Sequence, residues 1–344
     1  MPVVTTDQIK GKPDSWSNIL FATIAPETPF KSKLTQGPAI DQLTHQYKVK
    51  LSRKGSTSGK SDGQPVTVIN GQTGEEEVTA RVGVWKEGFG VGDIAAEIGS
   101  VARTTAQTAG ANRGTNAARL AMAAADQLRA IAEGMEIEML SDNDSQPDRG
   151  ANNGSRFRGA GKWLQSTAQT DQPVPEAVRT PSTQIYTGTL ANFTEEKFVE
   201  LLKIRWKNNG TKCQLHGVMA ADLQERIDLF NCRIADVASF TQVRRYNAEQ
   251  GDTIATGVTF FKTTWGVVEV HPDFFMPTDQ RGYLFEMDMV QSHPFGRGTF
   301  DEPLGNDGGG DKRVLKAMHL WHPGDPRAHV AIKPSTETAI TTLQ

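Results

Sequence analysis

The stretch from Thr115 to Leu140, TNAARLAMAAADQLRAIAEGMEIEML, constrains this chain more than any other. Ala117, Ala121, Ala124, Leu128, Ile131, Met135 and Met139 recur at steps of three and four, which sets them in one stripe along a helix. Arg119, Asp126, Arg129, Glu133 and Glu136 fall on the opposite side. Thr115 or Asn112 supplies a capping side chain, and the Ala-rich middle has the best helix propensity. Gly134 is the one contrary residue, at about 1 kcal/mol. At about 1.5 Å per residue the segment makes a rod roughly 40 Å long. Its stripe starts small and grows larger, which suits packing on a sheet; alanines bury too little area to hold a two-helix seam. Leu128, Ile131 and Met135 are the expected core of this spine.

What lies around the rod is bounded by composition. A chain of 344 residues allows two or three domains with a sizeable core. A formal net charge of −3 removes the electrostatic case for a dedicated nucleic-acid binder. Cys213 and Cys232 stand in no metal-binding spacing, so free thiols in a reducing compartment are expected. The first residues, MPVVTTDQIKGKPDSW, lack an apolar signal core, and no run approaches the ~20 residues that cross a bilayer. Synthesis as a soluble intracellular protein is the expectation.

Residues 1–45 read as an extended arm, because Pro13, Pro26, Pro29 and Pro38 break any helix. Trp16, Phe21 and Phe30 are its large apolar anchors, and they need a surface to dock on. From His45 to Trp85 two alternating segments flank a polar tip, the pattern of a long β-hairpin. A two-stranded ribbon is marginal alone and needs a partner. Its outgoing strand is basic at Lys48, Lys50, Arg53 and Lys54, and its return is acidic at Glu75, Glu76 and Glu77. Such charges are either a solvated loop or complementary contacts between copies of the chain.

Gly88, Gly90 and Gly92 follow with GxGxG spacing, which is not the GxGxxG of a dinucleotide fold. Beyond the rod, Asp142, Asn143 and Asp144 open like a calcium loop, but Pro147 falls early and no Glu closes it. Glu133, Glu136, Glu138 and Asp142 crowd the end of the rod and oppose its macrodipole. Cations are therefore expected against them, with Arg149, Arg156 and Arg158 nearest in sequence.

A second region begins near Tyr186: a helix EEKFVELLKIRWKNN capped by Thr194 and stopped by Gly210, a strand KCQLHGV, a helix MAADLQERIDLF, then mostly strands over 233–291. That run is α+β. Residues 294–313 read as loop, and VLKAMHLWHPG with RAHVAIK as a closing hairpin about Pro323, Gly324 and Asp325, laid beside the spine. Of seven histidines only His319 and His322 come close in sequence, and on a strand they point to opposite faces. No motif for catalysis, a cofactor or a metal emerges.

The order of parts resembles the major capsid proteins of tailed bacteriophages with the HK97-type fold, in particular the SU10-like subgroup. The likeness is carried by Thr28-Pro29-Phe30, by Glu76 to Gly92, by the spine, by Phe157 to Leu164, by Lys203 to Phe230 and by Ala328 to Ile332. It implies an α+β HK97-like capsid fold: N-terminal arm 1–45, extended loop 46–90, a peripheral domain of 91–165 and 310–335 holding the spine, an axial domain 166–309 and a tail 336–344. It further implies a self-assembling, non-enzymatic major capsid protein, in pentamers and hexamers of an icosahedral head around dsDNA bound nonspecifically. Expected partners are other copies, a portal, and scaffolding, maturation-protease or decoration proteins, with no membrane. The expected location is the virion, after synthesis in the host bacterial cytoplasm. Two other readings are an encapsulin-like nanocompartment shell of the same fold and, remotely, a nucleotide-binding enzyme.

Overall fold

The computed structural model describes residues 27–51, 74–91, 112–150, 154–212, 214–232, 260–305 and 311–336. Trp16, Phe21, Arg53 and Lys54 lie outside them. In chain order the helices are α1 (Pro29–Lys33), α2 (Asn112–Leu140), α3 (Ala160–Trp163), α4 (Glu195–Asn209) and α5 (Ala221–Asp228). The strands are β1 (Thr35–Gln36), β2 (Thr44–Lys50), β3 (Glu75–Arg81), β4 (Gly83–Val91), β5 (Ile185–Tyr186), β6 (Gln214–Met219), β7 (Phe260–Thr263), β8 (Gly266–Pro272), β9 (Gly282–Phe285), β10 (Gln291–Pro303), β11 (Asp311–His322) and β12 (Val330–Ile332). They form a four-stranded sheet β1-β10-β11-β4, a six-stranded sheet β5-β12-β9-β6-β8-β7 and the two-stranded hairpin β2-β3.

The spine α2 packs on β4 and β11 through its C-terminal end. Ile131, Met135, Glu136, Met139 and Leu140 are buried, a 3.6-residue stripe as expected of a helix on a sheet. The phase of that stripe corrects the sequence reading in two places. Leu128 is 45% exposed, and Glu136, placed on the polar side, is fully buried. From Ala123 to Ala130 every side chain is half-buried or exposed, so the body covers the last three turns and not the two turns over 123–130. The buried side is set by what lies beneath it, and Glu136 meets backbone donors there.

Two cores follow from the six-stranded sheet, whose residues alternate between them. Val218, Tyr283, Phe285 and Ala331 join the core beneath the spine, with Phe30, Trp163, Trp321 and the hairpin's Val49, Val78 and Ala80. Leu215, Met219, Leu284, Val330 and Ile332 face Phe198, Leu201, Leu202, Leu223 and Ile227 of α4 and α5. Gly210, at φ 73°, ends α4 in the left-handed conformation that suits glycine.

Three boundaries differ from the sequence reading. Most of 294–313, read as loop, is strand: residues 294–303 belong to β10, which pairs with β11 across a register shift between Pro294 and Thr299, where Gly296 and Gly298 take positive φ, and β11 begins at Asp311. The terminal strands are not a hairpin. β11 is paired on both edges, by β10 and β4, while β12 crosses to the six-stranded sheet beside β9. Trp85 and the glycines Gly88 and Gly90 belong to β4, in register with β11, and not to the hairpin or a phosphate loop.

Gly159 sits where the chain turns back under the end of the spine. A β-carbon there would lie 2.3 Å from the carbonyl oxygen of Ser141. Gly159→Ala should therefore destabilise the subunit by about 1–3 kcal/mol, read as a lower urea midpoint of the unassembled chain; an unchanged midpoint would show that this turn yields freely.

Candidate assembly interface

The arm is docked by its last residues. α1 has no capping side chain of its own; Thr28 makes no such bond. Instead Glu136 of the spine reaches across and accepts the backbone N–H groups of Phe30 and Lys31, each at 2.8 Å. Phe30 fills the space between the sheets, its ring 4.6 Å from Phe285 and 5.5 Å from Trp321. Lys33 completes the latch: its ammonium donates to Glu269 at 2.8 Å and lies 3.1 Å from His271 Nε2 and 3.4 Å from His216 Nδ1. One turn of helix is thus held by an apolar plug, a buried carboxylate and a cation in a three-sided cage.

The charges in this latch respond to their surroundings. Burial, then the carboxyl of Asp273 beside it, pushes Glu136 up to about 8, against the pull of the two N–H donors. Burial raises Asp273 as well. A proton shared by the two groups supplies the donor that a pair of carboxylates lacks. Lys31, beside them, is lowered by burial in spite of Glu136. In the cage the order is reversed: Lys33 holds Glu269 down at about 2, and burial lowers His216 to about 4.

Of the four carboxylates that crowd the spine's end, Glu138 meets one of the expected arginines, and Asp142 meets a distant one instead. Arg156 Nε lies 3.2 Å from Glu138, and the buried Arg158 donates to Asp144 at 2.8 Å while stacking over Trp163. Arg149 remains exposed. Asp142 pairs with Arg281, with Lys333 3.6 Å away. Protein cations therefore occupy the sequence that opened like a calcium loop.

The hairpin carries its charges in facing pairs. Lys48 stands opposite Glu77 and Lys50 opposite Glu75, and Lys48 Nζ lies 3.4 Å from Glu75. Glu76 is opposite Val49 and half-buried. Val49, Val78 and Ala80 anchor the base, while Lys48, Lys50, Glu75 and Glu77 stay exposed. Other large apolar side chains lie open too, among them Leu43, Leu128, Ile137 and, at 65%, Phe274. Sequence reasoning missed this scatter because each residue is isolated in sequence. Among the described residues no helix is long and apolar enough to cross a membrane.

Arm, hairpin, spine and two-sided sheet match a family model, SU10 major capsid protein, over residues 3–335. The chain belongs to that family. It is a major capsid protein of a tailed phage, a structural protein of the virion. Solved structures carry the same HK97-like fold at low identity. The cyanophage A-1(L) capsid asymmetric unit is 14% identical, with a TM-score of 0.63 over 96% of this chain and 98% of that one. The cyanophage Pam1 capsid asymmetric unit is 8% identical at a TM-score of 0.56, covering 96% and 97%. The capsid of cyanophage P-SCSP1u is 12% identical at 0.55, covering 94% and 92%. No curated protein matches in sequence. The family match is to phage heads and does not favour a nanocompartment shell.

Because folded Glu136 keeps a proton that the unfolded chain releases, its contribution to docking is full below pH 4.5 and is lost as pH rises through about 8. Amide exchange at Phe30 and Lys31, corrected for its intrinsic rate, should therefore speed up across that window. Asp273→Asn keeps the shape and gives Glu136 a neutral donor, so it should flatten the dependence; an equally steep profile would assign the effect elsewhere.

Proposed function

We propose that the subunit assembles as pentamers and hexamers of an icosahedral head, with its hairpin lying across one neighbour and its arm running beneath another. Family membership fixes the class of protein. The observation that carries the finer reading is the hairpin, whose Tyr47, Val49, Leu51, Val78 and Ala80 lie on the body while Lys48, Lys50, Glu75 and Glu77 stand open on the other face. A ribbon of this kind is marginal on its own, so its open face calls for another surface.

In this reading, the hairpin continues through 52–73 as the extended loop. The spine and four-stranded sheet act as the peripheral domain, and the six-stranded sheet with α4 and α5 as the axial one. The expected boundary at 309/310 then moves, because β10 stays with β11 and β12 stays with the axial sheet. Lys48, Lys50, Glu75 and Glu77, with Arg53 and Lys54, set docking register rather than affinity, since exposed ion pairs contribute under about 1 kcal/mol each. Synthesis in the host cytoplasm follows, with a portal, scaffolding or maturation proteins as partners. Packaged dsDNA is met through nonspecific phosphate contacts.

Removal of 52–73, with the strands rejoined by a short turn, tests the reading. A folded, soluble subunit that no longer closes shells in negative-stain images is the expected result. Normal heads from that variant would show that the ribbon is dispensable.

A further inference from the structure

The three-histidine cluster at the hairpin's base is used by none of the contacts described above. His45 comes from β2, His293 from β10 and His322 from the end of β11, so three separate segments meet there. We propose that these three imidazoles form a binding site for a divalent transition metal of the zinc type, one that ties the hairpin to the four-stranded sheet.

Geometry carries the proposal. The candidate ligand nitrogens all lie within 4.8 Å of one another. His293 Nε2 and His322 Nε2 are 3.2 Å apart. Two nitrogens on a tetrahedral zinc, at about 2.0–2.1 Å from the ion, are separated by roughly 3.3 Å. His293 is oriented as a ligand should be: its Nδ1–H donates to the Pro38 carbonyl at 2.9 Å, which leaves the Nε2 lone pair facing the cluster. The turn at Gly37 presses on that ring; a β-carbon at Gly37 would fall 2.2 Å from His293 Cε1. His45 is half-buried and offers the route in, while His293 and His322 are buried. Burial, reinforced by the neighbouring imidazoles, lowers His322 to about 3 and lowers His45, so both are neutral, the form that binds metal, near pH 7.

Without metal, Gly324 N–H donates to His322 Nδ1 at 3.2 Å, so the His322 proton sits on Nε2 and bridges to His293. An ion takes that place. The proton moves to Nδ1 and the Gly324 bond is given up, with no net release of protons. Three ligands leave a fourth position for solvent. A second donor set, His216, Glu269 and His271, is the only other such group among the described residues. There the ammonium of Lys33 already fills the cation's position.

The test uses the full-length protein without an affinity tag, stripped by a chelator. Co²⁺ is titrated by visible absorption and Zn²⁺ by calorimetry. One ion per chain, a tetrahedral nitrogen-ligated cobalt spectrum and a thermal midpoint raised by Zn²⁺ are expected. His45→Ala should weaken binding by about tenfold or more and abolish the midpoint shift. His45 is half-exposed, so this variant should fold; His45→Gln provides a second, bulkier replacement. Absence of saturation at one ion per chain would overturn the site. So would binding retained in both variants, including binding through the cysteine thiols.

Discussion

The buried carboxylate of Glu136 joins three parts of the subunit that no stretch of sequence joins. It sits in the last turns of the spine, where a negative charge opposes the helix dipole, and it is out of contact with water. A group so placed needs donors, and the first N–H groups of α1 supply them. The exchange is reciprocal: the short helix lacks a cap, and Glu136, beside the carboxyl of Asp273, is short of donors. Truncating Glu136 would leave the N–H of Phe30 buried and unsatisfied, which typically costs about 1–3 kcal/mol. Phe30 then has a fixed entry into the core, between Phe285 of one sheet and Trp321 of the other. The arm's last turn is thus a structural element of the body.

The neighbouring carboxylates follow the same logic with different partners. Glu138, Asp142 and Asp144 each meet an arginine, and those arginines come from the loop after the spine and from the residue before β9. The end of the spine is therefore locked by charge as well as by Met135, Met139 and Leu140. The turns over 123–130 are not. This contrast, rigid at one end and open along Leu128, divides the helix between holding the subunit together and presenting a surface.

Local grammar was legible where it is self-contained. The α4 helix, its Gly210 stop and the paired strands of the hairpin base could be read directly, because propensity, capping and period two act within a few residues. Arg156 against Glu138 was legible for a similar reason, as charge next to charge in sequence, whereas Arg281, which meets Asp142, lies far along the chain. The phase of the spine was not. Counting apolar residues put Leu128 inside and Glu136 outside, whereas a distant backbone donor pair decides the matter for Glu136. Gly296 and Gly298 concealed β10, since a bulge carries the residues of a loop. The histidine cluster was out of reach altogether: His319 and His322 do diverge on their strand, and His322 finds His45 and His293 only once three segments are brought together.

The hairpin's charges bear on how a shell could be specific without being sticky. Read as blocks, a basic strand and an acidic strand suggest that one copy's base meets another's acid. In the fold the blocks face each other across the ribbon, Lys48 by Glu77 and Lys50 by Glu75, and largely cancel at a distance. Charge cancelled within a ribbon exerts little long-range pull on another copy, and salt screens what remains beyond about 10 Å. It still penalises a wrong register at close range, where like charges would come together. On the proposed reading, net attraction among the described residues is left to uncovered apolar groups such as Leu43 and Leu128, scattered singly instead of gathered in one patch. Each contact of that kind is weak and reversible, so misplaced subunits can leave, and only a neighbour that satisfies many at once is retained.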